Sequence, residues 1–433
     1  MDTLIYNVTA LLMDESKTIL KDAFVLVKGE EIAYVGQERP EGEFHLLNGR
    51  GQALMPGFVN CHTHVPMTLL RGYGGGCDLQ TWLQDYIFPA EARLTPRSVA
   101  AGTMLGLAEM IAGGVTCIAD MYMHTGTIAQ CVADVGLSAN LSCGGVYFGP
   151  PEDFSPDQCA DCRAQEELTG QWHGYGNGRI LVDASIHAEY TSTAPLWRWM
   201  AQFAGEHGLR MHVHISETQK EHQESLARNG LTPVQALDRC GVWDNGGIAA
   251  HCVYTTPEDW EILKERGVSA VHNPYSNLKL GSGVAPVPDL CRAGVNVALG
   301  TDGVSSHNSI DPFADMKLAA ILHGGVRRDP MAVSPYQALE MATANGGAAL
   351  GRKTGRIQPG WAADLILVDL DTPHTLPCHD LVETLVYSSR GSDVTMNMAR
   401  GQVIYQDGEY RTLDWEQVKR EVRAVLPEIF PDK

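Results

Sequence analysis

The chain has 433 residues, 44% hydrophobic and 19% charged, a globular composition whose length fits one large domain with a smaller accessory domain. Its formal net charge of −20 repels polyanions, which argues against a nucleic-acid polymer or an anionic membrane surface as a partner. No apolar run approaches the roughly 20 residues that a membrane-spanning helix needs, and we expect no signal peptide.

The first fifty residues predict short strands joined by turns. Residues 3–10 and 23–28 are rich in β-branched and aromatic side chains, and a turn at 29–31 precedes a further strand at 32–35. The same pattern returns near the C-terminus, where we predict the strands 364–369, 394–398 and 402–405 and the helix 415–425. We therefore predict one small β-sandwich domain formed by both chain ends, residues 1–56 and 355–433.

Between the two ends, short apolar runs alternate with helical stretches, which predicts parallel strands connected by helices. The predicted strands are residues 57–64, 114–122, 138–147, 180–187, 210–215, 247–253, 268–273 and 295–302. The predicted helices include residues 96–112, 194–207, 233–240, 257–266 and 287–293. Eight such units are typical of a (β/α)8 TIM-type barrel, which we place at residues 57–354. An open doubly wound sheet is the alternative, although no Gly-x-Gly-x-x-Gly follows the first strand.

One insertion stands out within this region. Residues 150–178 are rich in Gly, Asp and Gln, and we predict a long loop that lies over the barrel mouth as a lid. The 11 cysteines of the chain stand mostly in apolar or small-residue contexts, which is typical of buried reduced thiols and predicts a cytoplasmic protein.

Four of the predicted barrel strands end in residues suited to metal binding or proton transfer. These residues are His62, His64, His212, His214, Glu217, His251 and Asp302. A His-x-His pair alone is equally well explained by core histidines, although side chains two apart on a strand do share a face. The repeated placement of such residues at the C-terminal ends of strands is stronger evidence for an active site, because barrel enzymes build their active sites at that end.

We predict a hydrolytic metal site, which needs few protein ligands and an open position for water. The predicted ligands are His62, His64, His214 and Asp302. Glu217 is predicted to transfer protons to the substrate and leaving group, with a carboxylate stabilising a helix N-terminus as the alternative. His251 has three possible roles at this point, as a ligand, as a residue that orients water or as part of the barrel filling. For His212 we favour a structural or supporting role.

Longer motifs resemble the amidohydrolase superfamily, in the branch that holds S-adenosylhomocysteine and 5′-methylthioadenosine deaminases. They run through nearly the whole chain: MPGFVNCHTH at 55–64, PMTLLRG at 66–72, DMY at 120–122, HISET at 214–218, AAHCV at 249–253, HNPYSNLKL at 272–280, LGTDG at 299–303 and GRIQPGWAADL at 355–365. The superfamily motifs are highly specific, and those of the branch moderately so.

The resemblance implies the same four ligands and the same proton-transferring glutamate, and it assigns His251 to the orientation of water. It further implies one divalent ion per subunit, most often Zn²⁺, with no carbamylated lysine; the fourth strand indeed ends in Ser185, Ile186 and His187. The implied substrate contacts are Glu91 at the ribose hydroxyls, Trp82 near the purine and His187 facing the substrate. From the residues alone, an exposed helix charge would be the preferred interpretation of Glu91.

The resemblance predicts hydrolytic deamination at C6 of an adenine nucleoside to the inosine analogue and ammonia. The expected substrates are 5′-methylthioadenosine, S-adenosylhomocysteine, 5′-deoxyadenosine and adenosine. Two departures bear on the 5′ end of the substrate. Cys143 stands where the branch often has an arginine for the amino-acid tail, and Ser306-His307-Asn308 replaces the usual Ser-Asn-Asn. Arg163 or Arg179 of the insertion could substitute for that arginine.

Two alternatives remain at this point. One keeps the metal site but acts on another ring, such as guanine, a pterin or a halogenated triazine. The other is a non-catalytic assembly protein on the same fold, which would have lost metal ligands that are present here. For partners, we predict a small-molecule nucleoside, no nucleic-acid polymer, no membrane and a homo-oligomeric assembly.

Overall fold

The two ends of the chain meet in one sheet of the computed structural model, which describes residues 2–77 and 79–431. The nine strands of this sheet are Thr3–Leu11, Ile19–Lys28, Glu31–Gly36, His45–Asn48, Ala53–Pro56, Leu365–Val368, Val394–Ala399, Gln402–Gln406 and Glu409–Tyr410. Ala53–Pro56 joins the two halves, because it pairs in parallel with the first strand and antiparallel with Leu365–Val368. The strands predicted at both chain ends are thus present and belong to one sheet.

This terminal sheet has an apolar core of its own. In Ile19–Lys28, the alternate residues Ala23, Val25 and Val27 are all buried, as the two-residue period of a strand requires. They belong to the same buried cluster as Leu367 from the other end of the chain. Residues more than 300 positions apart therefore share one core, which holds the chain ends together.

The middle of the chain forms parallel strands, as predicted. They are Phe58–Thr63, Val115–Met121, Ser138–Ser142, Ile180–Val182, Ala184–Ala188, Met211–Ile215, Gly247–His251, Val268–His272 and Val297–Leu299. The first four form one parallel sheet and the last five another. A parallel strand occupies part of each of the eight predicted runs, and the fourth run is divided into two short strands around Asp183.

Hydrogen bonds join the edges of the two parallel sheets on both sides. On one side, the Asn60 amide donates to the Thr301 hydroxyl at 2.8 Å, and the backbone N–H of Thr301 donates to Asn60 Oδ1 at 3.0 Å. On the other side, the Gly145 N–H donates to the Ser185 carbonyl at 3.2 Å, and the His187 N–H donates to the Gly145 carbonyl at 2.9 Å. The C-terminal ends of the parallel strands therefore converge around one centre.

Helices follow most of these strands. The principal helices are Pro96–Ala112, Thr125–Val135, Ala160–Trp172, Ala194–His207, Gln219–Asn229, Pro233–Asp238, Pro257–Glu265, Val287–Ala293, Pro312–Arg327, Pro335–Ala342, Ala344–Ala349, Leu381–Tyr387 and Trp415–Ile429. Three of the five predicted helices in this region have the predicted bounds. Many begin with a Thr or Ser cap followed by Pro, as at Thr95 and Thr256, because the hydroxyl accepts an otherwise unpaired N–H. Within the described residues, no helix is long and apolar enough to cross a membrane.

The prediction of a long loop at residues 150–178 is wrong. Two short 3-10 helices, Pro151–Asp153 and Pro156–Gln158, precede the 13-residue helix Ala160–Trp172. Its buried residues Cys162, Gln165, Leu168 and Thr169 recur with helical spacing. The sequence does contain this periodicity. The Gly- and Asp-rich composition of the segment nevertheless led to the prediction of a loop.

A second helical segment was not predicted. It consists of Leu79–Thr81, the π-helical turn Trp82–Ile87 and Phe88–Glu91, and it follows the first central strand. The segment brings Trp82 and Glu91, which the resemblance implied as substrate contacts, to one cavity wall. A π-helical turn often occurs at a functional site, because it shifts the side chains that follow it around the helix axis.

Candidate active site

Three of the predicted metal ligands are histidines at the C-terminal ends of the strands Phe58–Thr63 and Met211–Ile215. His64 Nε2 lies 3.3 Å from His214 Nε2, and the rings of His62 and His214 are 4.7 Å apart, centroid to centroid. Asp302, which follows the last strand, places Oδ1 3.3 Å from His64 Nε2 and 3.5 Å from His62 Nε2. The four residues therefore converge on one point, although about 240 positions separate His62 from Asp302.

Backbone and side-chain contacts fix the orientation of these rings. His64 Nδ1 donates to the Met121 carbonyl at 2.5 Å, and His214 Nδ1 donates to the His187 carbonyl at 2.7 Å. Because a carbonyl only accepts, each ring carries a proton on Nδ1, and its Nε2 is the nitrogen that lies toward the centre. His62 Nδ1 shares a hydrogen bond of 2.8 Å with His212 Nε2. His212 thus holds the His62 ring through Nδ1. This contact agrees with the structural or supporting role that we favoured for His212.

The donor set fits a divalent cation. His62 Nε2 is buried and has no hydrogen-bond partner among the described residues, and burial lowers the pKa of the His62 ring to about 3, which keeps it neutral. Burial opposes ionisation of Asp302, but its contacts with His62 and His64 hold the pKa of that carboxyl well below its usual range. Three imidazoles and one carboxylate, of which only His64 is half-buried, form the kind of ligand set that a zinc-type ion prefers.

Further side chains hold the Asp302 carboxylate in place. Ser276 Oγ and Ser306 Oγ donate to Asp302 Oδ2 at 2.5 and 3.2 Å, and the Gly303 N–H donates to Oδ1 at 2.7 Å. Ser276 was not singled out from the sequence, although it lies inside the HNPYSNLKL motif. A serine in a helical turn gives no signal of its own, because its partner lies 26 residues away in the chain.

Glu217 and His251 lie side by side next to the histidine cluster. Glu217 Oε2 is 3.8 Å from His251 Nε2, and Glu217 Oε1 accepts a hydrogen bond from Ser282 at 3.3 Å. His251 Nδ1 donates to Asn277 Oδ1 at 2.8 Å, which turns Nε2 toward the cavity. Glu217 is only 7% exposed, and burial followed by the charge of Asp302 raises the pKa of its carboxyl. A carboxyl with a raised pKa is suited to give and take protons near neutral pH.

The backbone beneath Glu217 is held by a second carboxylate that sequence reasoning missed. Glu221 accepts the N–H of Ser216 at 2.7 Å and the N–H of Glu217 at 2.8 Å. Thr218 caps the helix Gln219–Asn229 and Glu221 stands three residues later, the pattern of a capping box. That pattern was the available signal, and here the same glutamate also fixes the position of the Glu217 backbone.

A cavity of about 410 Å³ opens above these groups. Among the residues that line it are His64, His187, His214, Glu217, His251 and Asp302, together with Trp82, Glu91, Tyr122, Cys143, Val146 and Asp161. Tyr122 donates its hydroxyl to Glu91 Oε1 at 2.5 Å, and Glu91 is not the exposed helix charge that the residues alone suggested. The three substrate contacts implied by the resemblance therefore line one cavity with the cluster.

Neither candidate arginine from the insertion reaches this cavity. Arg163 donates to the Asp157 carbonyl at 3.1 Å. Arg179 donates to the Gly136 carbonyl and lies 3.5 Å from Glu30 of the terminal sheet. Among the described residues that line the cavity there is no arginine or lysine. Neither Arg163 nor Arg179 therefore takes the place of the arginine that the resemblance implies at Cys143.

Comparison with known proteins places the chain in one family. Residues 53–404 match the model of the amidohydrolase family. A 5-methylthioadenosine/S-adenosylhomocysteine deaminase of Syntrophomonas wolfei is 39% identical over 98% of both chains. A 5′-deoxyadenosine deaminase of Methanosarcina mazei is 38% identical over 99% of this chain and 98% of its own.

A solved structure agrees with the sequence comparisons. It is an adenosine deaminase from Xanthomonas campestris with bound zinc, 33% identical, with a TM-score of 0.93 over 99% of each chain. The residues 53–404 include all the groups of the cluster and the cavity described above. Together with the matched family and the buried His and Asp donors, these findings show that this chain belongs to the metal-dependent amidohydrolase family.

Proposed function

We propose that this protein is a hydrolytic deaminase that replaces the C6 amino group of an adenine nucleoside with oxygen and releases ammonia. The observation that carries this proposal is the position of Glu217, a buried carboxyl that lines the same cavity as the His and Asp cluster. The names of the relatives from Syntrophomonas wolfei, Methanosarcina mazei and Xanthomonas campestris support an adenine nucleoside as the substrate.

One zinc ion per subunit is the proposed cofactor. We assign it to His62, His64, His214 and Asp302, whose contacts support a single centre. When bound, such an ion acidifies a water molecule and so makes the nucleophile available at neutral pH. A second group, His62 with His214 and His251, is also close enough to share an ion, but the tie of His251 to Asn277 supports a role in orienting water.

Three side chains carry the proton transfers in this proposal. Glu217 donates a proton to N1 of the adenine ring, which makes C6 electron-poor and open to attack by water. Asp302 accepts a proton from the attacking water and helps to deliver it to the departing amine, which leaves as ammonia. His251 orients the water through Nε2. The raised pKa of Glu217 supports its role as the proton donor, and the lowered pKa of Asp302 supports an ionised carboxylate at the start of the reaction.

The nucleoside is held by the cavity wall that the segment 79–91 provides. We assign Trp82 to the purine face, since it is 6% exposed and lines the cavity. We assign Glu91 to the ribose hydroxyls, with Tyr122 holding its carboxylate in position. His187 faces the substrate, and burial lowers the pKa of its ring to about 4, so that it contacts the substrate as a neutral group.

The architecture that carries this site is proposed to be a closed (β/α)8 barrel of residues 57–354. The hydrogen bonds between Asn60 and Thr301, and between Gly145 and Ser185, support closure of the two parallel sheets. Residues 1–56 and 355–433 form the accessory domain, and their shared apolar core supports a sheet folded into a sandwich. The cytoplasmic location and the homo-oligomeric assembly stay predictions.

The direct test is an ammonia-release assay on the purified, zinc-loaded protein. The panel contains adenosine, 5′-deoxyadenosine, 5′-methylthioadenosine, S-adenosylhomocysteine, guanine and cytosine. We expect turnover of the adenine nucleosides, with conversion at C6 followed by the ultraviolet spectrum. Turnover of guanine alone would instead support a related enzyme with a different ring specificity, and a protein that binds no stoichiometric metal would support the assembly-protein alternative.

Replacement of Glu91 by Gln is expected to weaken binding of the ribose. The change removes the charge of an acceptor for two hydroxyls, and charge-assisted hydrogen bonds contribute about 1.5–3 kcal/mol, so kcat/KM for adenosine should fall by roughly tenfold or more. The loss should appear mainly in KM. As a control, 2′,3′-dideoxyadenosine lacks these hydroxyls and should respond much less to the substitution. An equal loss for both nucleosides would remove Glu91 from ribose recognition.

The second expectation concerns the 5′ substituent. A carboxylate tail needs a fork of donors, but Cys143 stands at the implied arginine position and no described lining residue is Lys or Arg. S-adenosylhomocysteine therefore lacks a charge-assisted contact worth roughly 1.5–3 kcal/mol. We expect 5′-methylthioadenosine, 5′-deoxyadenosine or adenosine to match or exceed it in kcat/KM. A preference for S-adenosylhomocysteine that disappears in Arg163→Ala or Arg179→Ala would contradict this expectation.

A further inference from the structure

A second cavity of about 430 Å³ lies next to the active-site cavity. The two share the four wall residues Tyr122, Met123, Cys143 and Asp161. Among the described residues that line the second cavity, none belongs to the metal cluster and none is Glu217 or His251. The shared wall therefore borders a side of the active-site cavity that carries no member of the metal cluster.

The proposed function directs the 5′ substituent of the nucleoside toward that side of the cavity. In adenosine and its analogues, C6 of the base and C5′ of the ribose are at opposite ends of the molecule. With C6 at the cluster and the ribose beside Glu91, the 5′ substituent extends toward the shared wall and the second cavity. Tyr122 links the two regions, since it contacts Glu91 and is itself one of the shared wall residues.

Asp161 is the acidic residue of the shared wall. It is the only carboxylate or basic residue among the four shared wall residues, and Glu167 adds a further carboxylate to the second cavity. Asp161 Oδ2 accepts the Val146 N–H at 2.8 Å, which fixes the carboxylate. Among the described residues, none donates a hydrogen bond to Asp161 Oδ1. No described residue that lines either cavity is Lys or Arg.

The first turn of the helix Ala160–Trp172 offers a simpler explanation for Asp161, because acidic residues stabilise helix N-termini. That explanation accounts for a carboxylate in the turn. It does not account for the contact with Val146, which comes from a different segment and ties Asp161 to the cavity wall. The two roles are compatible.

Building on the proposed function, we propose that Asp161 determines the specificity for the 5′ substituent. It favours adenine nucleosides whose 5′ substituent carries a positively charged amine, accepts neutral ones and discriminates against those that end in a carboxylate. The physical reason is electrostatic: a fixed carboxylate in a cavity without cationic residues attracts an ammonium group and repels a second carboxylate. Asp161 is thus a binding residue for the substrate tail and takes no part in the proton transfers.

The test uses three adenine nucleosides that differ only at the 5′ thioether. They are 5′-methylthioadenosine, S-adenosylhomocysteine and 5′-(3-aminopropylthio)-5′-deoxyadenosine, which keeps the amine of S-adenosylhomocysteine but lacks its carboxylate. For each protein, kcat/KM for the two charged substrates is divided by the value for 5′-methylthioadenosine. In the wild type, we expect the amine to exceed S-adenosylhomocysteine by roughly tenfold or more, since Asp161 repels the carboxylate of S-adenosylhomocysteine.

Asp161→Asn keeps the shape of the side chain and its ability to accept the Val146 N–H. In this variant, the ratio between the amine and S-adenosylhomocysteine should fall by roughly tenfold, through KM. The matched control is Asp157→Asn, since Asp157 is exposed in the same segment and lines neither cavity. Its ratio should equal that of the wild type.

The outcomes separate this inference from the proposed function. If 5′-methylthioadenosine is deaminated but the wild type prefers S-adenosylhomocysteine to the amine, the inference is wrong and the proposed function stands. The same holds if Asp161→Asn leaves the ratio unchanged. If none of the three nucleosides is deaminated, both fail together.

Discussion

Replacement of His214 by Ala is expected to remove the metal and with it nearly all turnover. His214 Nε2 lies 3.3 Å from His64 Nε2 at the centre of the cluster, and its ring is oriented by the His187 carbonyl. Alanine supplies no donor, so the cluster loses one of its four proposed ligands and with it affinity for a zinc-type ion. Without the ion, water keeps its high pKa, so we expect kcat/KM to fall by roughly 10³-fold or more.

The measurement is metal content per subunit by atomic emission, taken together with ammonia release on the same preparation. His379→Ala is the control, because His379 is an exposed residue that does not line the active-site cavity, and it should leave both values unchanged. Circular dichroism checks that the variant is folded. Full metal content in the folded His214→Ala variant would refute the assignment of His214 as a ligand.

Replacement of Glu217 by Gln is expected to separate metal binding from catalysis. Glutamine keeps the shape of the side chain and can still accept the Ser282 hydroxyl, but it cannot give up or take a proton. We therefore expect kcat to fall by roughly 10²-fold or more while the metal content stays at the wild-type level. Because the loss affects a proton transfer more than binding, KM should change much less than kcat.

Glu224→Gln is the matched control for this experiment. Glu224 stands on the helix that follows Glu217, but it pairs with Lys220 and Arg228 on the outside of the protein. We expect wild-type kcat and wild-type metal content for that variant. Undiminished turnover in Glu217→Gln would exclude Glu217 from the mechanism, and loss of metal in the same variant would show that the carboxylate acts as a ligand instead.

The parallel strands and the candidate functional residues at their ends were predictable because both depend on local sequence patterns. Apolar runs of six to ten residues define the strands, and the alternation of side chains places His62 and His64 on the same face. The residues that follow the strands, such as Glu217 and Asp302, must then lie at the same end of the parallel sheets. These constraints need no knowledge of loops, which explains why the candidate cluster could be proposed from the sequence.

Contacts between distant segments could not be predicted from the sequence. The hydrogen bond from Tyr122 to Glu91 depends on how the segment 79–91 folds over the strand ends, and nothing in either local pattern requires it. The support of the Asp302 carboxylate by Ser276 likewise joins a helical turn to the residue that follows another strand, through a side chain that gives no signal in the sequence. Loop conformations are set by packing across the fold, so a local pattern does not determine them.

The sequence by itself therefore determined the strand order, the residues of the candidate metal cluster and the family resemblance. Only the tertiary structure decided what surrounds the 5′ end of the substrate. It turned the expected loop at 150–178 into a helix, kept Arg163 and Arg179 away from the cavity and placed Asp161 on its wall. The physical reason is that charges in a sequence have no fixed distances, whereas electrostatic specificity depends on distance and burial, which arise only when the segments pack together.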